Sequence, residues 1–284
     1  MGRAKRIPYG VSDFIDIIER NQYYVDKTMY IPKLEDEPDA LFFIRPRRFG
    51  KSLFISMLRA YYDIKRKDKF DKLFGNLWIG SHPTENQGKY QVLFLDFSKI
   101  GGSIDQLEEN FNAYCNECID SFIETYQEYY PERVVESVLK AKTAARKLNA
   151  IGIAAEKKNL PLYLIVDEYD NFTNVVLNEQ GEEVYTALTH ASGFYREIFK
   201  VFKGMFSKIF MTGVSPVTLD DLTSGFNIGW HISTKPAFNQ MLGFSTEDVR
   251  ELFTYYKENG EIRPDSDVEA IIEEMKPWYD NYCF

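Results

Sequence analysis

Four short apolar runs punctuate the chain, at residues 40–44, 92–95, 162–166 and 209–211. Runs of that length, rich in aliphatic and aromatic residues and bounded by polar ones, predict buried strands. Helical spacing fills much of the rest. Leu53, Met57, Leu58 and Tyr61 share one helical face directly after the first run. Ser12 is the candidate N-cap of a helix over residues 12–20. A long helical stretch, broken near Pro131, occupies the interval from Asp105 to Lys158, and a further helix is expected over 182–207, carrying Arg196. Beyond Thr218 the pattern becomes polar and turn-rich through Trp230. Two short helices follow near 245–258 and 266–276, the second stopping before Pro277. Strands alternating with helices predict an α/β fold with a mainly parallel sheet flanked by helices. The expected division is a core over residues 1–230, with a helical insertion near 105–158, and a C-terminal helical segment over 231–284.

The junction after the first run carries chemistry. It reads Arg45-Pro46-Arg47-Arg48-Phe49-Gly50-Lys51-Ser52, between a strand and a helix. That is the context required by the phosphate-binding loop GxxxxGK[ST]. Backbone N–H groups at a helix N-terminus point at an anion, and the helix dipole favours negative charge there. Gly50 permits close backbone approach, Lys51 can reach β- and γ-phosphates, and the Ser52 hydroxyl can ligate Mg²⁺. Arg47, Phe49, Gly50, Lys51, Ser52 and Leu53 are therefore the candidate contacts to a bound nucleotide. The first glycine of the motif is replaced by Arg45, and Pro46 stiffens the turn, so the loop is expected to follow a modified path.

A phosphate loop calls for a second apolar strand ending in an acid. Leu162–Val166 supplies it, followed by Asp167 and Glu168. Asp167 falls at the C-terminal end of a strand, where open α/β sheets place their ligands. Its expected role is Mg²⁺ binding, and Glu168 is placed to polarise an attacking water as general base. The bland reading is a polar turn made by Asp167, Glu168 and Asp170. Asp96, at the end of the 92–95 run, is a weaker alternative for the metal acid because no glutamate follows it. The strand at 209–211 leads into Thr212, which fits the polar sensor carried by the strand between the loop strand and the acid strand in additional-strand ATPases. Ser215 is the next candidate, and capping by these hydroxyls is the structural alternative. Arg47 or Arg48 could stabilise transition-state charge, or simply pair with nearby acids. The candidate catalytic set is Glu168, Lys51 and Arg48, and the metal set Ser52 and Asp167.

Composition narrows the rest. With 284 residues, 44% hydrophobic, 27% charged and 15% aromatic, the chain can bury a sizeable, bulky core. A net charge of −9 gives no support to strong binding of a phosphate backbone, despite the local Arg45–Lys51 cluster. Nucleic acid and a homo-oligomer stay open as partners, and no membrane span is expected. Three cysteines cannot build a dense disulfide framework, which points to a cytoplasmic setting. Cys115 and Cys118 form a CxxC within a helical pattern, with no second pair to complete a zinc site. His82, His190 and His231 are isolated.

Several further blocks, in order, carry a resemblance: Gly10–Phe14, Tyr24–Thr28, Arg45–Ser52, Val166–Asp170, Thr212–Pro216, Leu222–Asn227 and Trp278–Asp280. Together they resemble the bacterial AAA-ATPase-like family, related to archaeal and STAND-type P-loop ATPases. The resemblance implies ATP and Mg²⁺ as ligands and makes Arg45 at the first loop position ordinary. It further implies that the two N-terminal blocks help enclose the nucleotide base. Phe14 and Val25 are candidate contacts there, and both suit core positions equally well. Members of that family often continue into a PD-(D/E)XK nuclease-like domain, so this chain is expected to be a truncated part of such a protein. Three functions are implied: an ATPase, a nucleotide-operated switch with negligible turnover, or the ATPase part of a nucleic-acid-processing protein.

Overall fold

The computed structural model describes residues 4–101, 104–171, 194–215 and 229–279. The four apolar runs form strands β1 (Ala40–Ile44), β2 (Gln91–Asp96), β3 (Leu162–Asp167) and β4 (Lys208–Gly213), joined by a two-residue β5 (Trp230–His231). All pair in parallel, in the order β2-β3-β4-β1-β5. Strand β3 is buried along its whole length, whereas β2, at one edge, alternates buried and half-buried positions. These are the patterns expected of a central and an edge strand in a doubly covered sheet.

Period-2 geometry sends alternate side chains of each strand into different helical layers. Ala40 and Phe42 of β1, Leu164 and Val166 of β3 and Met211 of β4 enter one core. That face is covered by α5 (Ile104–Thr125), α6 (Glu132–Lys140), α7 (Ala144–Lys157) and α8 (Phe194–Met205). The predicted break near Pro131 is the gap between α5 and α6, with Pro131 itself as the N-cap residue of α6. Leu41 and Phe43, with Tyr163, Ile165 and Phe210, enter the other core. This face is covered by α1 (Phe14–Glu19), α2 (Tyr30–Glu35), α3 (Lys51–Tyr62) and α4 (Phe70–Phe74).

Helices α9 (Thr246–Glu258) and α10 (Val268–Tyr279) pack on each other after β5. They also meet the N-terminal region. Lys27 pairs with Asp248 at 2.6 Å, the Tyr23 ring packs against Tyr255 and Tyr256, and the Tyr256 hydroxyl donates to the Lys5 carbonyl at 2.6 Å.

Two helix boundaries and one burial pattern differ from expectation. Helix α1 starts at Phe14 with Asp13, not Ser12, as its cap, the Asp13 carboxylate accepting from the Asp16 N–H at 3.1 Å. Helix α3 is buried around most of its circumference, because it lies beneath α1 as well as on the sheet. Helix α10 runs through Pro277 to Tyr279, with the proline, which has no N–H to give the ladder, only two residues from the helix end. The first part of the helix expected over 182–207, the Arg196 side chain, His190, the 222–227 block and Asp280 lie outside the described residues.

Candidate functional site

Parallel pairing aligns β1, β3 and β4 so that their C-terminal ends open on one side. Phe43 sits opposite Thr212 and Ile44 opposite Gly213, while Val166 faces Met211. Strand β4 therefore lies between the strand that feeds loop 45–50 and the strand that ends in Asp167. The chain leaves β1 into that loop and enters α3 at Lys51. Arg48 (φ 70°) and Gly50 (φ 85°) both take left-handed backbone conformations, which curl the loop toward the helix N-terminus. Only open space surrounds the point where a Cβ on Gly50 would stand.

Three donors, from α3, from β4 and from the turn after β3, converge on one carboxylate. The Ser52 hydroxyl donates to Asp167 Oδ2 at 2.6 Å, and the Thr212 hydroxyl donates to Oδ1 at 2.6 Å. The Glu168 backbone N–H adds a bond to Oδ1 at 3.0 Å. Asp167 and Thr212 are buried, and Ser52 is exposed at the mouth. Lys51, also buried, donates its ammonium to the carbonyls of Arg45 (2.9 Å) and Pro46 (3.0 Å), spanning its own loop. Burial lowers the Lys51 pKa, and Asp167, Glu168 and Asp170 oppose the shift. Burial raises the Glu168 pKa, Asp167 adds to the rise, and Lys51 and Arg47 oppose it. Both charges are thus held at some desolvation cost in each other's field.

The remaining candidates fall around this centre. Arg47 and Arg48 are exposed on the loop and form no ion pair among the described residues. Phe49 and Leu53 are half-buried, Leu53 leaning on the α3-side core. Asp170 ties the turn together, its carboxylate accepting the N–H groups of Val214 (3.0 Å) and Ser215 (2.5 Å) and so fastening the end of β4. Asp96 lies beside Asp167 in register but engages its carboxylate with Ser98, accepting the hydroxyl at 2.6 Å. Phe14 is a core residue, stacked on Phe74 at 5.0 Å and fully buried, and so is not available to a nucleotide base. Cys115 is buried in the α5 side of the core and Cys118 half-buried beside it, with burial raising both thiol pKa values.

Two contributors were not legible in the sequence. Ser233 and Gly243 touch opposite ends of loop 45–50, and neither sits in a recognisable motif. A separate groove of about 860 Å³, lined in part by Ile153, Leu160 and Met205, lies at the N-terminal end of β3, remote from the loop.

An additional strand between loop strand and acid strand, a Gly-Lys-Ser turn into α3 and an acid at the end of β3 define a P-loop NTPase fold. The sequence profile described as "Predicted AAA-ATPase" matches residues 8–223, and the chain belongs to that family. A curated relative from Azotobacter chroococcum mcd 1, an uncharacterized protein in the vnfD 5′ region, is 25% identical over 267 residues. That match covers 88% of this chain and 45% of the relative, so the chain spans less than half of that protein's length. The solved structure of the Aeropyrum pernix ORC2 protein, in ADPNP–ADP complexes, is similar with a TM-score of 0.38 at 11% identity. It covers 97% of this chain and 58% of that one, a likeness too distant to bear on the site. No helix among the described residues is long and apolar enough to cross a membrane.

Proposed function

We propose that the chain binds MgATP at loop 45–52 and hydrolyses it to ADP and phosphate. The observation that carries this reading is the meeting of Ser52 and Asp167 at 2.6 Å, which joins a helix N-terminus able to hold phosphates to an acid able to hold a metal.

The donor set fits Mg²⁺. Among the described residues no group of three or more His, Cys, Asp or Glu side chains forms a protein-only metal cage. Mg²⁺ does not need one, because it keeps several waters and binds through one or two carboxylates plus substrate phosphates. Ser52 and Asp167 would hold it, and when bound it supplies charge neutralisation at the β- and γ-phosphate oxygens. The protein's own groups do the rest. The N–H groups at the start of α3 and the Lys51 ammonium, turned from the Arg45 and Pro46 carbonyls, receive the phosphates. Arg47, Phe49, Gly50 and Leu53 border the ligand. Thr212 fixes the Asp167 carboxylate and stands as the sensor beside the γ-phosphate. Glu168 accepts a proton from the attacking water, and Arg48 or Arg47 offsets charge in the transition state. A cytoplasmic setting, and the division into a core over 1–230 and a helical segment over 231–284, belong to the same reading.

Calorimetric titration of MgATP into wild type and Lys51→Ala, with phosphate release followed in parallel, tests it. Each charge-assisted bond lost is worth ~1.5–3 kcal/mol, so Lys51→Ala should weaken binding at least about tenfold. Wild-type binding with no phosphate release would leave a nucleotide-operated switch. No binding by the wild type would defeat both readings.

A further inference from the structure

Both ends of loop 45–50 are fastened to the segment that follows β5. At the entrance, the Ile44 N–H donates to Ser233 Oγ at 2.7 Å, and Arg45 Nη1 donates to the Ser233 carbonyl at 3.0 Å and to the Ile44 carbonyl at 2.9 Å. Arg45 is only 2% exposed, and its guanidinium lies over the Phe43 ring at 4.4 Å. The residue standing where the general motif has glycine thus points inward, away from any phosphate. At the exit, the Gly243 N–H donates to the Phe49 carbonyl at 3.0 Å. Gly243 has φ 79°, and a Cβ there would stand 3.1 Å from Phe49 Cδ1. Just before and between these points Ile232, Phe238, Met241 and Leu242 are buried in the core on the α3 face, so the segment is itself anchored. It lies beyond residues 8–223, the part matched by the family.

We propose that Arg45, Ser233 and Gly243 are positioning residues of the phosphate site, forming a clasp that holds loop 45–50 open in front of α3. A glycine-first loop can curl through its own backbone freedom. A loop beginning Arg45-Pro46 has little of that freedom and takes its path from outside, through one buried guanidinium and two backbone contacts. The clasp rests on the nucleotide reading above for its purpose, though not for its existence. Its consequence is that affinity for a polyphosphate depends on residues that never touch it, because a preorganised loop does not pay its ordering cost on binding.

The test uses the full chain and two readouts. Hydrogen–deuterium exchange without nucleotide follows the peptide over residues 44–52, with the β3 peptide over 162–167 as control. MgADP titration follows affinity. In Arg45→Gly and Ser233→Ala, exchange over 44–52 should quicken about tenfold while β3 is unchanged, and ADP affinity should fall about tenfold. The double variant should lose more than either single one, because Ser233→Ala removes the hydroxyl bonded to the Ile44 N–H but keeps the carbonyl that accepts from Arg45, so each substitution breaks a different bond of the clasp. Arg45→Lys keeps one donor and should recover part of both losses, and Gly243→Ala should loosen the exit alone. Wild-type protection over 44–52 in Arg45→Gly, or quickened exchange in β3 to the same extent, would overturn the clasp. If exchange responds as described but the wild type binds no ADP, the nucleotide reading falls and the clasp stands.

Discussion

Asp167 carries the site at the level of single residues. Each of its oxygens accepts a hydroxyl at 2.6 Å, from Ser52 on one side and Thr212 on the other. Asp167→Asn keeps the size but removes the charge and turns one acceptor into a donor. It should abolish Mg²⁺-dependent nucleotide binding, as read by comparing titrations with magnesium and with a chelator. Glu168→Gln should preserve binding and abolish phosphate release; unchanged release would remove Glu168 from the role of base. The same substitution has a signature in stability. Burial, with Asp167 adding to it, raises the Glu168 pKa from 4.5, so folding favours its protonated form. That contribution is fully present below the unfolded pKa and is lost as pH rises through the folded value. Glu168→Gln should therefore raise the unfolding temperature at neutral pH, with the gain vanishing as pH falls below about 4.5. A gain that grew on acidification would contradict the assignment. Motif spacing made Lys51, Ser52, Asp167 and Glu168 legible, because strand ends and helix starts fix where those atoms go. Ser233 and Gly243 were illegible: they act through a backbone carbonyl, a backbone N–H and a single hydroxyl, and any sequence offers those groups.

At the scale of elements, β4 decides whether the acid strand and the loop strand are correctly spaced. Its exit is tight. A Cβ on Gly213 would stand 2.5 Å from Tyr169 Cε1 and 2.6 Å from Asp170 Oδ1. Gly213→Ala must displace the aromatic ring and the carboxylate that fastens Val214 and Ser215. Overpacking of that kind costs ~1–3 kcal/mol, so the denaturant midpoint should fall without a change in m-value. The four main strands were readable as apolar runs: β1, β3 and β4 are buried on both faces, and even at the edge the half-buried positions Val92 and Phe94 of β2 are apolar. The fifth was not: β5 is two residues long, and Trp230 faces solvent. Helix ends were less legible than strands. Ser12 and Asp13 are equally good caps by composition, and the helix start at Asp13 is fixed by distant partners: Phe14 stacks on Phe74 and donates its N–H to Ser56 Oγ at 3.0 Å, and the Ser56 hydroxyl donates to the Asp13 carboxylate at 3.3 Å.

For the whole molecule, the segment after residue 228 adds β5 to the sheet, four buried apolar side chains to the core on the α3 face and the α9 contacts to Lys27 and Tyr23. A chain ending at residue 228 should lose cooperative thermal unfolding or melt well below the full chain. An unchanged transition would make 229–279 an independent appendage. The residue pattern changes near 230 and so suggests a boundary there, but composition carries no information about what a later segment packs against. The strand order has a further consequence, for folding in time. Among the described residues strand β1 pairs with 209–213 and 230–231, so most of the chain must be synthesised before Phe42 and Phe43 gain these neighbouring strands. Contacts of such sequence separation form slowly and leave apolar segments bare meanwhile. A nascent chain halted short of β4 would hold its phosphate loop at the end of an unpaired, aggregation-prone strand.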